Sequence, residues 1–179
     1  TYGGSEDFSP SRKDAEDHLY EVINTTLARG GKVLIPAFAV GRSQELMLAL
    51  EEGFRNQRIP QCKIYLDGMI KEATALHTAY PEYLNNDLRN LIFRDNYNPF
   101  LAECFEQVDS QEKRQQVIFS EDPCVIISTS GLLHGGPFLE YAGNLAESEK
   151  NMLIFAGYPA EGTYGRRIPK GWRGVAIYR

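Results

Sequence analysis

The stretch Lys32–Leu50 reads KVLIPAFAVGRSQELMLAL, and its interpretation decides the fold. Val33-Leu34-Ile35 is a short apolar run of the kind that forms a strand buried on both faces. Pro36 cannot donate to a sheet ladder, so the strand is expected to end there. Past Phe38, Gly41-Arg42-Ser43 opens a helix, because Leu46, Met47 or Leu48, and Leu50 recur at helical spacing. A strand, a small-residue turn and a helix N-terminus leave backbone N–H groups pointing outward. Such a terminus attracts anions, and Arg42 adds a fixed charge suited to bidentate phosphate contact. A plain strand-to-helix connection whose arginine pairs with a carboxylate is the simpler reading of these residues alone.

Working outward, Thr1–Ser9 is polar and glycine-containing and reads as loop. Ser9 or Ser11 can cap a following helix, with Pro10 near its first turn and Asp14 in an early acidic position. Leu19, Val22, Ile23 and Leu27 share one face of that helix, and Gly30-Gly31 stops it. The helix after Gly41 is expected to run to about Asn56. Lys63–Leu66 reads as a second strand ending in the Asp67-Gly68 turn signal. Helices are then expected at Met69–Thr78 and Pro81–Arg89, irregular chain at Asn90–Pro99, and helices again at Phe100–Val108 and Ser110–Gln116, the last charged and exposed. Cys124–Ser128 is a third strand, followed by a Thr-Ser-Gly turn. Phe138–Leu145 reads as helix, Met152–Phe155 as a fourth strand and Val175–Tyr178 as the start of a fifth.

Strands alternating with helices predict an α/β fold: a mainly parallel sheet with helices on both faces. Ligands in such sheets lie beyond the carboxyl ends of the strands. Three small-residue turns follow strands, at Ala39–Ser43, Ser128–Gly131 and Gly157–Gly165, and they are expected to gather along one edge.

The 179 residues suit one domain with a sizeable core. No run approaches the ~20 apolar residues needed to span a bilayer. No secretory signal is visible, and the first residue is Thr, which suggests a fragment. Cys62, Cys104 and Cys124 are odd in number and far apart. They make neither a disulfide framework nor a zinc knuckle, so a reducing cytoplasmic location is expected. Cys124, inside an apolar run, reads as a small buried hydrophobe. The net charge of −5 argues against a general polyanion binder, yet Arg166, Arg167, Lys170, Arg173 and Arg179 form a tail without an acid. A basic tail on an acidic body suits a nucleic-acid contact, a solvated end or a patch facing another domain.

Metal catalysis needs clustered ligands, whereas His18, His77 and His134 stand alone. A nucleophile elbow, a Walker phosphate loop and a G-x-G-x-x-G motif are all absent. Glu6-Asp7, Glu51-Glu52 and Glu121-Asp122 are adjacent carboxylates that point apart on regular elements. Asp67 is the best lone carboxylate, with a turn or cap as its simpler role. What remains are anion-friendly turns whose hydroxyls, glycine N–H groups and arginines suit a phosphate backbone that is held rather than cut. Tyr158, Tyr164 and Trp172 near the basic tail could stack on bases; Phe155 reads as core.

Five motifs occur in order: T-Y-G-G at Thr1–Gly4, P-A-F-A-V-G-R-S-Q-E at Pro36–Glu45, Y-L-D-G-M at Tyr65–Met69, S-T-S-G-L-L-H-G-G-P at Ser128–Pro137 and G-Y-P-A-E-G-T-Y-G-R-R at Gly157–Arg167. Together they resemble the β-CASP domain of metallo-β-lactamase-superfamily nucleases. The nearest likeness is to archaeal homologues of the endonuclease subunit of the cleavage and polyadenylation specificity factor. The resemblance covers essentially all of residues 1–179 and implies a Rossmann-like three-layer cap cut from a longer enzyme. In that family the cap covers a metallo-β-lactamase domain whose two zinc ions and bridging hydroxide hydrolyse RNA. The H-x-H-x-D-H ligand motif has no counterpart here, so no cofactor is expected in this chain and two zinc ions are expected in its parent. The roles implied are RNA positioning by Arg42, Ser43, Ser128, Thr129, Ser130, Gly131, Arg166 and Arg167. The implied partners are RNA and the metallo-β-lactamase domain of the same chain, with a homodimeric parent as one arrangement and no membrane. The parent would act in mRNA 3'-end processing or RNA decay. A non-catalytic scaffold or protein-interaction module of an RNA-processing complex is the alternative.

Overall fold

A computed structural model describes residues 12–80, 85–129, 136–156, 172 and 174–178. Its centre is the apolar run with which the sequence reading began. Val33–Pro36 forms β1, every residue of it buried. It lies between β4 (Val125–Ser128) and β5 (Met152–Ala156), parallel to both. With β2 (Ile64–Asp67), β3 (Phe105–Val108) and β6 (Val175–Tyr178) these strands make one sheet of order β3-β2-β4-β1-β5-β6. Every pairing in it is parallel.

The crossovers explain why helices cover both faces. From β1 the chain passes over β4 to reach β2, and from β4 it passes over β1 to reach β5. Connections of one hand that run in opposite directions along a sheet lie on opposite faces. On one face Val33, Ile35, Ile64, Leu66, Val125 and Ile127 pack with α1 (Arg12–Ala28), α2 (Arg42–Arg55), α3 (Ile70–Ala79) and α4 (Asn86–Phe93). On the other, Leu34, Ile126, Leu153 and Phe155 pack with α5 (Gln111–Phe119) and α6 (Phe138–Leu145). Strand side chains alternate between the two cores as the pleat requires.

Most expected elements are present, with three differences. Phe100–Val108, read as helix, is a 3-10 turn at Pro99–Leu101 followed by strand β3. Asn98 Oδ1 accepts from the Phe100 N–H, so the turn is capped and ends at once. β3 is a sheet edge whose residues are mostly half-buried, which blurs the alternation that marks a strand. In consequence Val175–Tyr178 is the sixth strand rather than the fifth. Of the helix expected at Pro81–Arg89, the first four residues lie outside the described residues; α4, Asn86–Phe93, starts where Asn85 Oδ1 accepts from Leu88 N–H and continues into the segment read as irregular. The expected caps at Ser9 or Ser11 lie outside the described residues.

The amino edge of the sheet is closed by a buried lysine. Lys32 is 7% exposed, and its Nζ donates to the Ile118 and Ser120 carbonyls. Those groups belong to the end of α5, so Lys32 satisfies orphan carbonyls of that helix. Burial lowers the Lys32 pKa, although Cys124 and Asp122 pull it back up. Cys124, beside it, is buried as the apolar run implies. Burial pushes its thiol from 9.0 to about 12. Above pH 9 the unfolded thiol ionises while the folded one keeps its proton, so the unfolded state binds fewer protons and stability falls as pH rises. Urea unfolding is therefore expected to show declining stability between pH 9 and 11. Cys124→Ala should flatten that decline, by at most about 1.4 kcal/mol per pH unit. An equally steep decline in the variant would exclude this thiol as its source.

Candidate functional site

The parallel register brings three strand ends side by side. Pro36 and Asp67 both pair with Ser128. Ladder-like bonds continue past the strands, from Ala37 N–H to the Ser128 carbonyl (3.0 Å) and from Thr129 N–H to the Asp67 carbonyl (3.1 Å). The turns after β1, β2 and β4 thus form one carboxyl edge, as expected for Ala39–Ser43 and for Ser128 and Thr129, the described part of Ser128–Gly131. The Gly157–Gly165 turn lies outside the described residues, although β5 sits next to β1.

The turn between β1 and α2 is tied down from within. The Ser43 hydroxyl donates to the Phe38 carbonyl. Gln44 Nε2 donates to the Ala39 carbonyl (2.8 Å) and to Thr74 Oγ1 on α3 (3.0 Å). Gly41 N–H donates to Gln44 Oε1 (2.6 Å), and Gly41 has φ +89°, a conformation that glycine adopts without strain. Gln44 thus closes back on the N-cap N–H, while the N-cap itself, Gly41, has no side chain to offer the N–H groups that follow. Arg42, with 26% of its side chain exposed, pairs with Glu45 one turn on at 2.8 Å. The arginine–carboxylate pairing of the simpler reading is therefore present, on the same helix.

The expected site residues divide by placement. Arg42 and Thr129 are accessible at the edge. Ser43 and Ser128 are fully buried, and the Ser128 hydroxyl donates to the Thr129 carbonyl (3.1 Å); they shape the edge from below rather than project from it. Ser130, Gly131, Arg166 and Arg167 lie outside the described residues, as do His134, Tyr158 and Tyr164. Trp172 leans on the α6 side, where its Nε1–H donates to the Ala142 carbonyl (3.1 Å). Phe38, Val40 and Met69 stand exposed in the turns of the same edge.

Sequence reasoning singled out Asp67, which carries this edge, but missed the partners that hold it. Asp67, 2% exposed, accepts from Arg114 Nε at 2.7 Å and Nη2 at 3.2 Å. Its Oδ2 also accepts from the Tyr141 hydroxyl at 2.6 Å. Arg114 Nη1 reaches Gln111 Oε1 (2.8 Å) and Glu140 Oε2 (3.0 Å), so all three guanidinium nitrogens are engaged. The Asp67 bond, ahead of Glu140, raises the Arg114 pKa, while burial and then the Asp67 bond hold Tyr141 protonated well above the ordinary phenol range. The signal was available: Arg114 precedes Val117 and Ile118 by three and four residues, which puts it on their buried face.

Among the described residues no group of three His, Cys, Asp or Glu side chains could hold a metal ion, and no helix is long and apolar enough to cross a membrane. These residues do not fit zinc. An edge of this kind can hold and orient an anion.

Next to Asp67, Gly68 has φ +101°, and a Cβ built on it would collide with Thr129 Oγ1. Gly68→Ala is expected to destabilise the chain by about 1–3 kcal/mol through backbone strain and this contact. Urea denaturation checks it; a midpoint unchanged from the native chain would show that the two turns do not rest on each other.

The profile of the Beta-Casp domain matches residues 43–168. The chain is 57% identical over 177 residues to "Transcription termination factor FttA" of Methanosarcina mazei, covering 99% of this chain and 28% of that protein. It is 56% identical to the protein of that name from Methanocaldococcus jannaschii, with the same coverage. Its identity to the Thermococcus kodakarensis protein is 55%, over 99% of this chain and 27% of the relative. The chain therefore spans little more than a quarter of the length of these relatives. With the profile matching well over half of its residues, from the start of α2 to beyond β5, the chain belongs to the Beta-Casp domain family.

Proposed function

We propose that this chain is the RNA-positioning cap of a longer nuclease-family protein whose catalytic metals lie in another domain. The observation that carries it is the alignment of the β1, β2 and β4 ends beneath an α2 terminus that bears Arg42 and whose N-cap, Gly41, has no side chain. Anions settle at helix N-termini, and arginine adds a charge that can fork onto a phosphate. Family membership and the termination-factor name of the relatives support RNA as the polyanion. The exposed Phe38, Val40 and Met69 at the same edge support a second domain facing it across a cleft. On this reading the parent carries a metallo-β-lactamase domain with two zinc ions, hydrolyses RNA phosphodiesters and serves in RNA processing or transcription termination. Arg42 and the Thr129-Ser130-Gly131 turn touch phosphates, with Arg166 and Arg167 as further contacts. Ser43 and Ser128 hold the two turns in shape.

A chain of net charge −5 has little long-range pull on RNA, so the cap alone should bind weakly. In the full-length parent, Arg42→Ala is expected to weaken single-stranded RNA binding. The slope of log affinity against log salt should fall by about 0.7, the mark of one lost phosphate contact. Zinc content, measured by atomic spectroscopy, should stay as in the native parent. Unchanged RNA affinity and slope would remove Arg42 from the site, and parallel loss of zinc would point to misfolding instead.

A further inference from the structure

We propose that Asp67, Arg114 and Tyr141 are positioning residues for the RNA-holding edge: they set the end of β4 without touching RNA themselves. The proposal rests on the RNA reading above and adds residues to it.

Asp67 faces two ways. Its side chain is gripped by Arg114 from α5 and Tyr141 from α6. Its carbonyl receives the Thr129 N–H, and the next residue, Gly68, lies against the Thr129 side chain. Thr129 in turn accepts the Phe138 N–H (3.0 Å) that starts α6, the helix that carries Tyr141. The bonds close a ring: α6 to Asp67, Asp67 to Thr129, Thr129 back to α6. A rotation of the Asp67 peptide would move the β4 turn.

Stability alone gives a weak reason for this arrangement. Replacing a buried ion pair with well-packed apolar groups is often neutral or favourable, whereas hydrogen-bonded charges define a single geometry. Direct RNA contact is also disfavoured. The Arg114 nitrogens are all engaged, Asp67 and Tyr141 are buried, and the cluster of Asp67, Glu140 and Arg114 carries a net negative charge that repels phosphate.

The test uses full-length parent protein carrying Arg114→Gln, Arg114→Lys or Tyr141→Phe. Lys32→Met, at the opposite edge of the sheet, serves as a control for lost stability. RNA affinity is expected to fall about fivefold or more in each edge variant, the scale of one hydrogen bond, with the salt slope unchanged. Lysine at 114 keeps the charge but not the fork, so it should not restore binding. Amide hydrogen exchange should speed up at Thr129 and Phe138 and stay slow at Val33. Native affinity in Arg114→Lys, a smaller salt slope in Arg114→Gln, or the same affinity loss in Lys32→Met would each overturn the proposal. Unchanged exchange with RNA binding intact would overturn it alone, while a native parent that binds no RNA would overturn the reading beneath it.

Discussion

A carboxylate buried at the end of β2 is the constraint on which the carboxyl edge depends. Taking the Asp67 charge out of water is costly unless it is paired and hydrogen-bonded. Here the Arg114 fork and the Tyr141 hydroxyl offset that penalty. Because the three groups come from β2, α5 and α6, the pairing fixes where both helices meet the sheet. An apolar side chain at position 67 would fill the same volume but would leave α5 and α6 free to slide, since dispersion contacts have little directional preference.

The two edges of the sheet solve different problems. At the amino edge Lys32 closes the end of α5, and Asn151 accepts the Lys32 N–H through Oδ1 while donating to the Leu145 carbonyl. These two polar side chains are engaged within the chain. At the carboxyl edge the ladder also continues past the strands, but the turns carry exposed Phe38, Val40, Met69 and the partly exposed Arg42. The sheet presents unspent surface at the end where parallel α/β sheets bind ligands.

The layered fold was legible because β1, β4 and β5 are buried on both faces and therefore read as unbroken apolar runs. α6 was legible to the residue, as Phe138, Tyr141, Ala142 and Leu145 follow helical spacing. β3 was not. An edge strand pairs on one side only, and Phe105–Val108 is half-buried for most of its length, so tertiary pairing rather than pattern makes it a strand. The strand-turn-helix of Lys32–Leu50 announced an anion-friendly edge, but not which hydroxyls would face inward. Ser43 and Ser128 look alike in sequence to exposed serines; only the Phe38 and Thr129 carbonyls above them show that both are structural. Arg114 was read as part of a solvated helix because α5 is polar on most of its surface, and a single inward arginine hardly alters that composition.

The Arg42–Glu45 pair looks like a reason to exclude this arginine from binding, yet its physics argues the reverse. Glu45 is 59% exposed at its side chain, and exposed ion pairs contribute about 0–1 kcal/mol. Exchanging that carboxylate for a phosphate therefore loses little, and the phosphate gains the α2 terminus as well, where the helix dipole favours negative charge. Glu45 also keeps Arg42 near the edge while no anion is present, lowering the side-chain entropy lost on binding. Arg114 differs in both respects: its carboxylate partner Asp67 is 3% exposed at the side chain, so removing Arg114 would strand a buried charge. The ion pair of the first arginine is exposed and that of the second is buried, which is why the proposed RNA contact falls to Arg42 and the support beneath it to Arg114.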